Sequence, residues 1–80
     1  GSITFNYGNY NFYIIIGRPS STASRVSLVV PKIMLTTSAV SFQIADETNY
    51  KSFNLSYSGS TVTLAIQGGN GQINRVFGVN

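Results

Sequence analysis

The sequence predicts an all-β fold, a small antiparallel β-sandwich, jelly-roll-like, of seven or eight short strands. Three observations carry this. From Tyr50 onward apolar residues take alternate places: Phe53, Leu55 and Tyr57, then Val62, Leu64 and Ile66, with Ile73, Phe77 and Val79 closing the chain. Successive side chains on a strand point to opposite faces, so this period builds one dry face and one wet face. Turn signals recur between the runs, and no segment carries an i, i+3, i+4 stripe of helical length.

Taken in order, Ile3, Phe5 and Tyr7 alternate with polar residues as a first strand, and Gly8-Asn9 turns it. Tyr10 to Ile16 follows, with Phe12, Ile14 and Ile16 on one face and Tyr13 and Ile15 on the other. Both faces are apolar, so this strand needs cover on both sides: it is either sandwiched or has its second face at a subunit contact. Gly17 to Ser24 is the longest loop. Arg25 to Val30 is a strand with Val26, Leu28 and Val30 inward, ended by Pro31. Lys32 to Ser38 fits a short strand or one turn of helix. Val40, Phe42 and Ile44 make another half-buried strand, and Asp46 to Asn49 a polar turn. Ser58-Gly59 reads as a tight hairpin, and Gly68 to Gly71 as a wider one with positions free to take positive φ. The run Tyr50–Ile66, with one apolar face and one Ser/Thr/Asn/Lys face, reads as an outer sheet.

The chain's 80 residues fit one domain. Gly1-Ser2 has the look of a scar left by tag removal, which makes residues 3–80 the domain and suggests a piece of a longer protein. Hydrophobic residues are 42%, enough for a core, and charged residues only 9%, against roughly 25% in ordinary domains. Ser, Thr and Asn replace them, a surface that suits an extracellular or virion protein. The net charge is +3, but Arg18, Arg25, Lys32, Lys51 and Arg75 form no run, so no nucleic-acid partner is expected. No 18-residue apolar run is present, so no membrane insertion is expected.

The chain has no His and no Cys, which removes Ser-His-Asp and Cys-His triads and thiolate or imidazole metal sites. The only carboxylates, Asp46 and Glu47, are adjacent and read as solvated turn residues. A Ca²⁺ site at Asp46, Glu47 and Asn49 would lack the six to eight oxygens that ion takes. Gly68-Gly69-Asn70-Gly71 lacks the Lys-Ser/Thr tail of a phosphate loop. The expectation is therefore a non-enzymatic chain with no cofactor and no metal. Binding surfaces remain. Tyr13 and Tyr57 are in phase with strands and read as structural. Tyr7 and Tyr10 bracket Gly8-Asn9, Tyr50 opens a strand after a polar turn, and Arg18 stands beside Ser20 and Ser21 in the long loop. An aromatic face with neighbouring amide and guanidinium donors suits a saccharide. Tyr7, Asn9, Tyr10, Arg18 and Tyr50 are accordingly the candidate ligand-binding residues, against the alternative that such rings only cover the sandwich ends.

The order YNFYIIIGRP, RVSLVVPKIML, SYSGSTVTLAIQGGNG and the closing INRVFGVN resembles the C-terminal β-sandwich domains of bacteriophage tail fibres, tail spikes and baseplate receptor-binding proteins. The likeness spans nearly the whole chain, and its close on Val76–Asn80 looks like a true chain end. It implies a virion tip domain, assembled as a homotrimer, that meets a host cell-surface glycan or cell-wall polymer. That group has no shared binding motif to carry over. Two other readings stay open: a structural trimerisation or capping domain that binds nothing, and a carbohydrate-binding module, which would need a row of exposed aromatics on one strand face.

Overall fold

The computed structural model describes residues 2–6 and 10–80. Among them the chain forms seven strands: β1 (Ser2–Asn6), β2 (Phe12–Arg18), β3 (Val26–Pro31), β4 (Val40–Ala45), β5 (Tyr50–Ser58), β6 (Thr61–Ile66) and β7 (Gln72–Val79), with a 3-10 turn at Lys32–Met34. They make two antiparallel sheets, one of four strands in the order β1-β6-β5-β4 and one of three in the order β3-β2-β7. No helix among the described residues is long and apolar enough to cross a membrane.

The alternating pattern decides what is buried. Tyr13 and Ile15 on β2, Val30 on β3, Ile44 on β4, Phe53 and Leu55 on β5, and Val62 and Leu64 on β6 form the core between the sheets, with Leu35 closing one end. Phe5 meets the Tyr13 ring edge-on at 5.3 Å, and Phe42 stacks on Phe53 at 5.8 Å. The two expected hairpin turns take positive φ where glycine allows it, at Gly59 (61°) and Gly69 (99°).

Several boundaries differ from the sequence reading, each for a local reason. β2 starts at Phe12, not Tyr10, because the Tyr10 ring folds onto Gly78, where a Cβ would collide with it. Pro31 does not stop β3 but is its last residue, opposite Phe12. β3 is an edge strand, where a missing N–H costs no ladder bond. The ambiguous Lys32–Ser38 stretch is the 3-10 turn followed by loop. Val26 points toward the core side but stays exposed at the strand's start. Lys51, assigned above to the wet face, pairs with buried Ile44 and so lies in phase with the core. It reaches past the sandwich end, and its Nζ donates to the Gly69 carbonyl at 2.8 Å. Tyr7, Gly8 and Asn9 lie outside the described residues.

The largest difference concerns β2. Its inner face is covered as expected, but its outer face is not. Residues directly opposite one another in an antiparallel ladder share a face. Ile14 is flanked by Val29 and Phe77, and Phe12 by Pro31 and Val79. Val29 is 56% exposed, Phe12 42% and Phe77 41%, so nothing among the described residues covers that face.

Candidate functional site

Three surfaces carry chemistry, and they occupy different parts of the sandwich. β2 runs from one end to the other, about 20 Å at the usual rise per residue. Arg18 lies at its far end, beside the β4–β5 turn and the β6–β7 loop. Tyr10 lies at its near end, with the 3-10 turn and the β5–β6 hairpin. The structure therefore places Arg18 and Tyr50 at the same end but on opposite outer faces, Arg18 in phase with Ile14 and Ile16 on β2 and Tyr50 out of phase with buried Phe53 and Leu55 on β5, and separates both from Tyr10. Tyr7 and Asn9 fall outside the described residues, so their place relative to these is not given.

At the far end the glycine-rich loop is pinned to the start of β5. Gly71 N–H donates to the Tyr50 carbonyl, Ser52 N–H to the Gly68 carbonyl and Gln67 N–H to the Ser52 carbonyl, each at 2.9 Å. Gly69 is packed against Tyr50, so a Cβ there would overlap the Tyr50 carbonyl oxygen and press on the ring. Gly71 fits between the Arg18 and Pro19 carbonyls and the Lys51 side chain. These close approaches explain Gly69 and Gly71, which the sequence showed only as a turn signal.

Around the half-exposed Tyr50 ring stand polar groups already fixed to one another. Asn70 Nδ2 donates to Asn49 Oδ1 at 2.8 Å, and Asn49 Nδ2 donates to Thr48 Oγ1 at 3.0 Å. Asp46 Oδ1 accepts the backbone N–H groups of Thr48 (2.9 Å) and Asn49 (2.7 Å). Those two bonds, Thr48 first, hold its carboxyl below the ordinary range. Asp46 is thus occupied in shaping its own turn. No cluster of three or more metal-ligating side chains occurs among the described residues. Arg18 is half-buried: its Nη1 donates to the Ser21 carbonyl at 3.4 Å, and its Nε, buried, has no hydrogen-bond partner. The guanidinium is tied to its own loop, and the Tyr50 ring with Asn70 is the more accessible group.

Tyr10 is placed differently. Its ring lies on Gly78 and meets Tyr13 edge-on at 6.2 Å, which fills the end of the core. Nearby, Asn11, Phe12, Pro31, Lys32, Ile33, Leu35 and Tyr57 line an open groove of about 470 Å³. Alternation puts Tyr57 in a strand and carries no sign of this groove. Its walls come from three separated segments joined only by the fold.

The third surface is the outer face of β3-β2-β7. It carries Phe12, Ile14 and Ile16 on β2, Val29 on β3 and Phe77 and Val79 on β7. Of its charged residues, Arg75 lays its guanidinium over the Phe77 ring, 5.0 Å from the centroid, and Arg18 ends β2 in the same phase. The run Ile14-Ile15-Ile16 was the sequence signal for this face. The contributions of Val29 and Phe77 depended on register. Comparison with protein-family models, with curated proteins and with solved structures finds no match to this chain. The geometry alone, then, defines a small seven-stranded sandwich with one uncovered apolar sheet face and a polar, tyrosine-bearing loop end.

Proposed function

We propose that this chain is a non-enzymatic attachment domain that works as a homo-oligomer, with the outer face of β3-β2-β7 joining copies and the loop end around Tyr50 meeting a saccharide. The observation that carries the reading is the apolar outer face. Its exposed side chains sum to about 400 Å² on the usual side-chain areas, a patch of the size that marks interaction sites on monomers. That is a little under a tenth of the whole accessible surface of 4702 Å², close to the share an ordinary interface takes on a small protein. Both β3 and β7 are also edge strands, with no further strand beyond them among the described residues. Unpaired edges beside an apolar face favour contact with another chain.

This matches what the resemblance to phage tail tip domains implies: a homotrimer in the virion, presenting loops to a bacterial cell-surface glycan or cell-wall polymer. The loop end supports the recognition half of the reading. A tyrosine ring braced by Gly69 and flanked by prearranged amides loses little entropy on meeting a sugar. The experiment is binding of the assembled protein to a host-surface glycan array, with Tyr50→Ala alongside. The expected result is a specific glycan signal weakened about thirtyfold by the substitution, the ~2 kcal/mol of an aromatic anchor. An assembled protein that binds no glycan and no host surface would instead be a structural cap, the reading favoured if the apolar face is its only working surface.

A further inference from the structure

We infer that Ile33 and Met34 form a hydrophobic knob with which one copy of this chain enters the groove of another. This rests on the homo-oligomer reading and names its anchor. The knob is built by local geometry. Pro31 is extended (φ −64°, ψ 136°). Lys32 N–H then donates to the Asn11 carbonyl at 2.9 Å, and Leu35 N–H closes the turn on the Lys32 carbonyl at 3.0 Å. Leu35 is driven inward to 4% exposure, so the intervening residues are thrown outward. Ile33 is 91% exposed and Met34 48%. The turn is anchored from both sides, since Tyr57 N–H donates to the Thr36 carbonyl at 3.1 Å. An isoleucine so exposed on a pinned turn is poised for burial by another surface.

The groove beside it supplies that surface. Phe12, Pro31, Leu35 and Tyr57 give it apolar walls, Ile33 itself forms part of its rim beside Asn11 and Lys32, and its volume of about 470 Å³ has room for more than one aliphatic side chain. Phe12 belongs to both the groove and the outer sheet face, so knob, groove and face form one continuous patch. Area decides the matter. The sheet face alone offers about 400 Å² per copy, which leaves a pair near 800 Å² in total, the level of a crystal-packing contact. Adding Ile33 and Met34 raises the patch to about 650 Å² per copy and the pair to about 1,300 Å², inside the range of specific interfaces. Because knob and hole lie side by side on the same chain, the patch is complementary to itself, and a second copy is the occupant it fits. The same contact closes a pair or, head to tail, a ring of three.

The test is sedimentation equilibrium of the wild-type protein, Ile33→Asp and Met34→Asp, each checked for an unchanged circular-dichroism melt after dilution to monomer. Wild type is expected to assemble, with Ile33→Asp raising the dissociation constant at least a hundredfold and Met34→Asp about tenfold. The chain has no cysteine, so a mixture of Ile33→Cys and Asn11→Cys proteins reports the contact directly. A heterodisulfide favoured over either homodisulfide is expected. An oligomer whose dissociation constant is unmoved by Ile33→Asp, with no such crosslink, overturns the knob while leaving the oligomer reading intact. A wild-type monomer at millimolar concentration overturns both. A monomer whose groove takes up anilinonaphthalene sulfonate, and loses it in Tyr57→Ala, would assign the groove to a small amphiphile and overturn the inference.

Discussion

Ile14 and Ile15 are chemically identical neighbours on one strand, and the structure gives them opposite fates. Ile15 is fully buried beneath the opposite sheet. Ile14 lies on the uncovered face between Val29 and Phe77. Ile15→Ala should therefore remove a whole buried side chain and leave a cavity, costing about 3 kcal/mol within the 2–5 kcal/mol range for such truncations. A domain of this size has only roughly 4–12 kcal/mol to lose. At about 4–8 °C per kcal/mol the melting temperature should fall by some 12–24 °C. Ile14→Ala loses the same β-propensity, but in the monomer it gives up only partial burial, so it should cost about 1 kcal/mol. The assay is urea unfolding at a dilution where the chain is monomeric, followed by circular dichroism. If the two variants were equally destabilised there, the face bearing Ile14 would be covered within the monomer, and the reasoning behind the interface would fail. At concentrations that assemble the protein, Ile14→Ala should instead show its larger effect on the oligomer.

Gly69→Ala should cost about 1–3 kcal/mol, because its φ of 99° suits only glycine and the new Cβ meets the Tyr50 carbonyl. Saccharide binding should fall with it, and an unchanged urea midpoint would contradict the packing described. Asp46 has a folded-state pKa below its unfolded value, so its charge contributes stability above the unfolded pKa and loses it as pH falls through the folded one. Asp46→Asn should accordingly melt lower than wild type at pH 6, with the gap narrowing as pH falls below the ordinary aspartate range. A gap that stays constant across that range would rule out the carboxylate's role in the turn. Lys51→Met keeps the buried stem and removes the bond to Gly69, so it should loosen the β6–β7 loop, read as faster amide exchange at Gly71, with little change in global stability.

The strands were legible because their alternation is regular: Phe53, Leu55, Val62 and Leu64 are buried where the period placed them. The two-faced pattern of Tyr13 to Ile16 also announced that β2 was unusual. What it did not announce was which face would stay open, since that depends on the side where the four-stranded sheet packs, over Tyr13 and Ile15. The same limit applies at the ends. Tyr10 and Tyr50 look alike in sequence, each beside a turn. Only the fold shows that Tyr10 packs on Gly78 while Tyr50 leans on Gly69 at the opposite end. Lys51 was read as a wet-face residue because charge outweighed phase, and its pairing with Ile44 restores the phase. The groove was invisible because Tyr57 meets Phe12 and Pro31 only through pairings distant in sequence.

The most direct test of the account is the mass in solution of the wild-type chain beside the double substitution Val29→Asp, Phe77→Asp, measured by sedimentation equilibrium at tens of micromolar. Both side chains sit on the outer face and neither is in the core, so the variant should fold. The account predicts a wild-type mass two or three times the 8.6 kDa chain, a closed pair or ring, and a variant of single-chain mass. Equal masses for the two proteins, whether both single or both assembled, would contradict the claim that this face joins copies.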